Sequence, residues 1–162
     1  MTYPFPMKKA LLGLLALSAV SSAAADSVGG SIGTGLTVHY QTDLTSTSSI
    51  RYGLNLDALN LFRGGSLAIG GDVAYLGELN TSQTLGPFDP YYGLGLGAYV
   101  SLGSSSGLVV YPNGILGLNF QVTTPLSVFV EGSAGPRIVV GTGDTGIDFG
   151  FGARVGLNYT FR

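Results

Sequence analysis

From Ile147 to Phe161 the chain alternates without interruption. Phe149, Phe151, Ala153, Val155, Leu157, Tyr159 and Phe161 hold one parity, while Asp148, Gly150, Gly152, Arg154, Gly156, Asn158 and Thr160 hold the other. A period of two over this length is the signature of a β-strand with one apolar and one polar face. The same pattern recurs upstream. Ile32, Leu36, Val38 and Tyr40 share a parity, with Gly33, Gly35, Thr37, His39 and Gln41 opposite. Further segments set Ile50, Tyr52, Leu54 and Leu56 against Arg51, Gly53, Asn55 and Asp57, and Leu67, Ile69, Val73 and Tyr75 against Ala68, Gly70, Asp72 and Ala74. Tyr92 to Leu102, Leu116 to Val122 and Leu126 to Val140 complete the series.

Turn-forming stretches separate these segments. Asp43–Ser49, Asn60–Gly65, Glu78–Pro90, Gly103–Gly107, Thr123–Pro125 and Gly141–Gly146 read as loops or turns. Seven segments are clear, and single-chain bacterial barrels use an even number of strands with both chain ends on the periplasmic side. An eighth crossing is therefore expected, with Glu78–Leu85 and Leu108–Tyr111 as the places to look. Leu108–Gly114 is ambiguous, because Pro112-Asn113-Gly114 is a turn signal after an apolar run.

Composition turns this pattern into a membrane reading. Of the 162 residues 45% are hydrophobic and only 10% are charged, against about 25% in ordinary soluble domains. Residues 7–25 have the three parts of a secretory signal peptide: Lys8 and Lys9, an apolar run from Ala10 to Val20, and Ala23-Ala24-Ala25 before Asp26. The apolar run is shorter than the roughly 20 residues that a spanning helix needs. Residues 1–25 are thus read as a cleaved signal peptide with an N-terminal extension, Met7 being a plausible start. Residues 26–162 are read as one barrel domain. After Asp26 there is no Lys, five Arg and nine acids, so no basic patch for nucleic acid exists. The chain has no Cys, which removes disulfides and thiolate metal sites.

The charges decide which face is which. Arg51, Asp57, Asp72, Glu131, Arg137, Asp148 and Arg154 all fall on the Gly-rich parity. In hydrocarbon every backbone polar group must be paired internally, so only helices and closed barrels span. An Arg facing lipid near mid-bilayer costs about 2–4 kcal/mol. The seven charges are therefore expected to form a network in the lumen of an all-β, antiparallel, up-and-down transmembrane barrel of eight strands. About 137 mature residues give roughly 17 per strand with its connection, which suits strands of about 9–11 residues. A soluble β-sandwich or lipocalin-like barrel would show water a surface with very little charge. Tyr40, Tyr75, Tyr92, Tyr159 and Phe161, on the apolar parity, are expected to be interfacial aromatics.

The terminal V-G-L-N-Y-T-F, the central P-Y-Y-G-L-G-L-G-A-Y and the run G-L-N-F-Q-V-T-T-P-L-S-V-F-V-E-G resemble the small outer-membrane β-barrel proteins of diderm bacteria. The resemblance covers about residues 28–161 and specifies architecture more than activity. It implies a bacterial outer-membrane location, contact with outer-membrane lipids, and insertion by the barrel-assembly machinery. One departure is that Arg162 follows Phe161, where the family's insertion signal ends on the aromatic itself.

No motif for chemistry stands out. His39 is the single histidine, near Ser46, Ser48 and Ser49 in sequence. A catalytic pair is made by geometry and not by sequence proximity, so a lipid-modifying enzyme built on His39 is the weakest of three readings. Metal binding lacks a donor set, and Asp144 and Asp148 do not reach the ligand density of a Ca²⁺ loop. The glycines of Gly93–Gly97 precede no helix and no P-loop Lys. The expectation is a monomeric barrel without cofactor, metal or enzymatic activity, whose interior is plugged by paired charges, since eight strands enclose a space that side chains fill. Its role would be structural or surface recognition. A narrow channel for small or hydrophobic solutes is the alternative.

Overall fold

A computed structural model describes residues 25–57, 67–79, 86–102, 107–141 and 145–161. The signal-peptide reading of residues 1–25 falls almost wholly outside them. Eight strands run in chain order: β1 (Asp26–Gly33), β2 (Leu36–Thr45), β3 (Ser48–Asp57), β4 (Leu67–Glu78), β5 (Phe88–Leu102), β6 (Gly107–Thr123), β7 (Leu126–Gly141) and β8 (Thr145–Phe161). Each pairs antiparallel with its sequence neighbour, and β1 pairs with β8 to close the barrel.

The eighth strand does not lie where the sequence suggested. Glu78 ends β4, and Leu108–Tyr111 is simply the start of β6. The extra crossing is β1, most of which precedes the first alternating segment; only Ile32 and Gly33 fall within that segment, ahead of a bend at Thr34 and Gly35. Ile32 and Leu36 face each other across this hairpin, both on the outer side. The tight connection preserves the alternation, so the end of β1 reads as the start of β2. The polar connections also proved shorter than read. β2 continues to Thr45 and β3 begins at Ser48, while the Glu78–Pro90 stretch contracts to residues 79–87. Pro112-Asn113-Gly114 lies inside β6.

The register fixes the barrel's shape. From Ser31, successive partners lead through Thr37, Asn55, Gly70, Tyr99, Val109 and Val139 to Gly146. The direct partner of Ser31 on β8 is Gly156, ten residues further along, so the eight strands close with a shear of ten. With a rise of about 3.3 Å and a strand spacing of about 4.8 Å, this corresponds to a tilt of roughly 40°.

The apolar parity is outside throughout. Leu54, Leu94, Leu116, Ile147 and Phe151 are each at least two-thirds exposed, whereas the buried set is dominated by polar residues such as Arg51, Glu131, His39 and Thr37. This is the inverse of a water-soluble barrel. Both chain ends lie at one rim, since Asp26 pairs with Phe161. The turns at 46–47 and 124–125 share that rim, and the bend at Thr34 and Gly35 lies at the other.

A closed barrel with an apolar exterior resists unfolding by detergent at room temperature. The mature chain folded in detergent is expected to migrate differently on a gel before and after boiling. Identical mobility in both lanes would contradict the closed barrel.

Candidate functional site

The inward positions of β3, β5, β7 and β8 converge on one carboxylate. Glu131 sits mid-way along β7 and is 5% exposed. Its two oxygens each accept from Arg51 Nη2 at 2.9 Å. Oε1 also accepts from Arg154 Nε, and Oε2 from the Tyr91 hydroxyl at 2.8 Å. Four donor contacts thus serve one carboxylate. Charge-assisted contacts of this kind are what a buried ion needs to offset its lost hydration.

Apolar side chains wall the cluster. Arg51, 1% exposed, lies with its guanidinium carbon 5.7 Å from the Phe129 ring centre, close enough for a cation–π contact. Phe129 meets His39 edge-on at 5.6 Å. His39 is 3% exposed and its Nε2 lies 2.6 Å from Asn158 Oδ1, which fixes Nε2 as the donor because the amide oxygen can only accept. Ala74, Leu76 and Ile115 form a small apolar patch beside Tyr91. Two glycines make this packing possible. A Cβ on Gly117 would run into the Tyr91 ring, and one on Gly156 would run into Phe129.

Of the seven charges expected to form one network, three do. Arg51, Glu131 and Arg154 make the two ion pairs seen among the described residues. Asp72 lies higher in the lumen and takes the Asn55 amide instead, with Thr37 bonded to Asn55 in turn. Arg137 and Asp148 face each other in register near the far rim, but both are exposed and form no ion pair; Asp148 accepts from the Phe149 amide. Asp57 ends β3, and its side chain lies outside the described residues. The interior is therefore layered, with a buried ion-paired centre and separate polar groups above it. Tyr91, Phe129, His39 and Asn158 were not expected at the centre, although strand parity puts each of them inward.

His39 also departs from its expected setting. It lies in the lumen next to Phe129, away from the serines. The Ser49 hydroxyl instead accepts from Gln41. Tyr40, Tyr75, Tyr92, Tyr159 and Phe161 all lie on the outer surface, between 38% and 51% exposed. Below the cluster, toward the chain ends, a cavity of about 460 Å³ opens at the rim. Arg51, Tyr91 and Phe129 line its inner end, and Asp43, Glu78 and Asp89 line its mouth.

This fold and its polar, ion-paired interior define a small eight-stranded β-barrel of the outer-membrane type. Neither a known family model nor any curated protein sequence matches the chain. Solved structures do. The N-terminal β-barrel domain of Pseudomonas aeruginosa OprF superposes with a TM-score of 0.50 at 16% identity, covering 85% of this chain and 96% of that one. Neisserial surface protein A gives 0.51 at 12% identity, with 85% and 94% covered. At these identities the likeness shows the shared fold alone.

Removing Glu131 leaves Arg51 buried without a counter-charge. Glu131→Ala is expected to lower stability by about 3–5 kcal/mol, the usual cost of breaking a buried pair from one side. Glu131→Leu combined with Arg51→Met should lose less than Glu131→Ala alone. Urea midpoints of the barrel refolded in vesicles measure both. Equal loss in the two variants would show that the cost comes from packing and not from charge.

Proposed function

We propose that the chain is a non-enzymatic outer-membrane barrel whose interior is shut by the Glu131 cluster, and that its role is structural. The single observation carrying this reading is the four-point bonding of Glu131 across the lumen, with Arg51 and Phe129 almost fully enclosed beside it. An eight-stranded interior is just wide enough for side chains to fill, so one such layer blocks the passage of ions. Recognition by surface loops has less support, because the described connection at the rim opposite the chain ends is the two-residue bend at Thr34 and Gly35. Enzymatic use of His39 has less still, because a ring enclosed by Phe129 and bonded to Asn158 offers no open path to a lipid substrate.

The specific observation favouring a channel is the cavity at the chain-end rim, whose acidic mouth would admit cations. It ends on Arg51 and Tyr91 and so supports a blind vestibule more than a pore. Planar-bilayer recordings decide between the two. The folded wild-type barrel is expected to give no discrete conductance steps. Regular steps at neutral pH would replace the plugged reading with the channel. Fractionation of cells carrying the full chain tests the location: the protein is expected with the outer membrane, and its recovery in the soluble fraction would overturn the reading.

A further inference from the structure

The cavity at the chain-end rim has two unlike walls. Asp43 on β2, Glu78 on β4 and Asp89 on β5 stand on the inward parity and line its mouth. Glu78 lies within electrostatic reach of both Asp89 and Asp43. The two ion pairs seen among the described residues both belong to Glu131, so none of these three acids has a cation partner there. Carboxylates grouped in this way draw cations from solution.

The opposite wall is neutral. Ser127 on β7 stands beside Asn158 on β8, and Ser27 on β1 stands beside Thr160. Ser27 and Ser127 are only 7% and 5% exposed, and both line the cavity. Neither hydroxyl is hydrogen-bonded to another described residue, and neither is sealed off from the cavity. Buried hydroxyls normally find partners, so two that face a cavity are groups for a ligand to bond. Deeper in, Tyr91 and Phe129 present ring surface, while Arg51 is already paired with Glu131.

The spread of the charge selects the ligand. Among the described residues no three His, Cys, Asp or Glu side chains come close enough together to hold a metal ion. A point charge therefore meets only part of the acidic mouth. A flexible cation with several charges along its length meets the carboxylates in turn. Its ammonium groups are donors, and both carboxylate and serine oxygens accept. The cavity, about 460 Å³, falls within the roughly 300–1,000 Å³ usual for small-molecule sites.

We propose that the chain-end cavity binds an aliphatic polyamine. Its ammonium groups are shared between Asp43, Glu78 and Asp89 on one wall and the Ser27 and Ser127 hydroxyls on the other, and its methylene segments lie against the rings of Tyr91 and Phe129. The proposal deepens the vestibule reading of the cavity but needs only the barrel fold, since a conducting barrel can carry the same site.

Isothermal titration calorimetry on the mature chain, folded in a non-ionic detergent at low ionic strength, tests this with spermidine, and with magnesium chloride in a parallel arm. Spermidine is expected to saturate one site and to bind about tenfold more tightly than magnesium, the effect of two or three screened charge pairs. Glu78→Gln with Asp89→Asn should weaken spermidine by about tenfold. Ser27→Ala with Ser127→Ala leaves every charge in place and should also weaken spermidine by about tenfold, the effect of two ordinary hydrogen bonds, without moving magnesium. Asp148→Asn, at the far rim, should change neither. Equal affinity for spermidine and magnesium, or spermidine binding that the double Ser→Ala change leaves untouched, would overturn the site and reduce the acids to a surface that attracts counter-ions. Heat-dependent gel mobility shows whether each variant is still a closed barrel. Conductance steps from a preparation that keeps serine-dependent spermidine binding would remove the plug and leave the site standing.

Discussion

A backbone amide or carbonyl left unpaired in hydrocarbon costs several kcal/mol, and that cost organises this molecule. A sheet with free edges would carry a row of such groups. Joining β1 to β8 removes both edges at once. Closure with eight strands and a shear of ten then sets the tilt and the width of the lumen. Everything inside must fit that width. The outside need only be apolar, which explains why the exterior tolerates a nearly uniform run of Leu, Val, Ile and aromatics while the interior is built from small residues and a few large ones.

The interior answers a different problem from a soluble core. Its polar parity cannot be hydrated freely in so narrow a space, so its charges have to pair. Glu131 meets this by taking two guanidiniums and a phenol together. A Glu–Arg pair alone would leave carboxylate lone pairs unused, and the Tyr91 and Arg154 contacts fill them. The rings that complete the layer, Tyr91 and Phe129, lie where Gly117 and Gly156 stand on the neighbouring strands. Gly on the inward parity is therefore a packing partner of the aromatics as much as a backbone convenience.

The alternation in the sequence already separated lipid-facing from lumen-facing residues. That separation depends only on the two-residue period of a strand, a local property. Strand number depended on finding a hairpin whose turn, at Thr34 and Gly35, leaves the phase of the alternation intact, so that Gly33 and Gly35 read as part of the polar face. Which charges meet is less local still. Arg51 reaches Glu131 across 80 residues of sequence because of the shear, and no spacing rule within one strand encodes the shear. Asp72, Arg137 and Asp148 share the correct face but lie at other heights along the barrel, so face alone overestimated the network. The same limit applied to His39: its inward parity was legible, whereas its enclosure by Phe129 and Asn158 came from strands far away in sequence.

The prolines of β6 and β7 interrupt one ladder without ending either strand. Pro112-Asn113-Gly114 carries a turn signal, yet the chain runs straight through it as strand because both neighbours still supply most of the ladder. At mid-membrane two carbonyls without donors would be a heavy penalty, with no water to relieve it. The ladders on either side stay unbroken past the gap, and they hold β6 and β7 in one register, so that Gly114 meets Ala134 in the same phase in which Val110 meets Ile138.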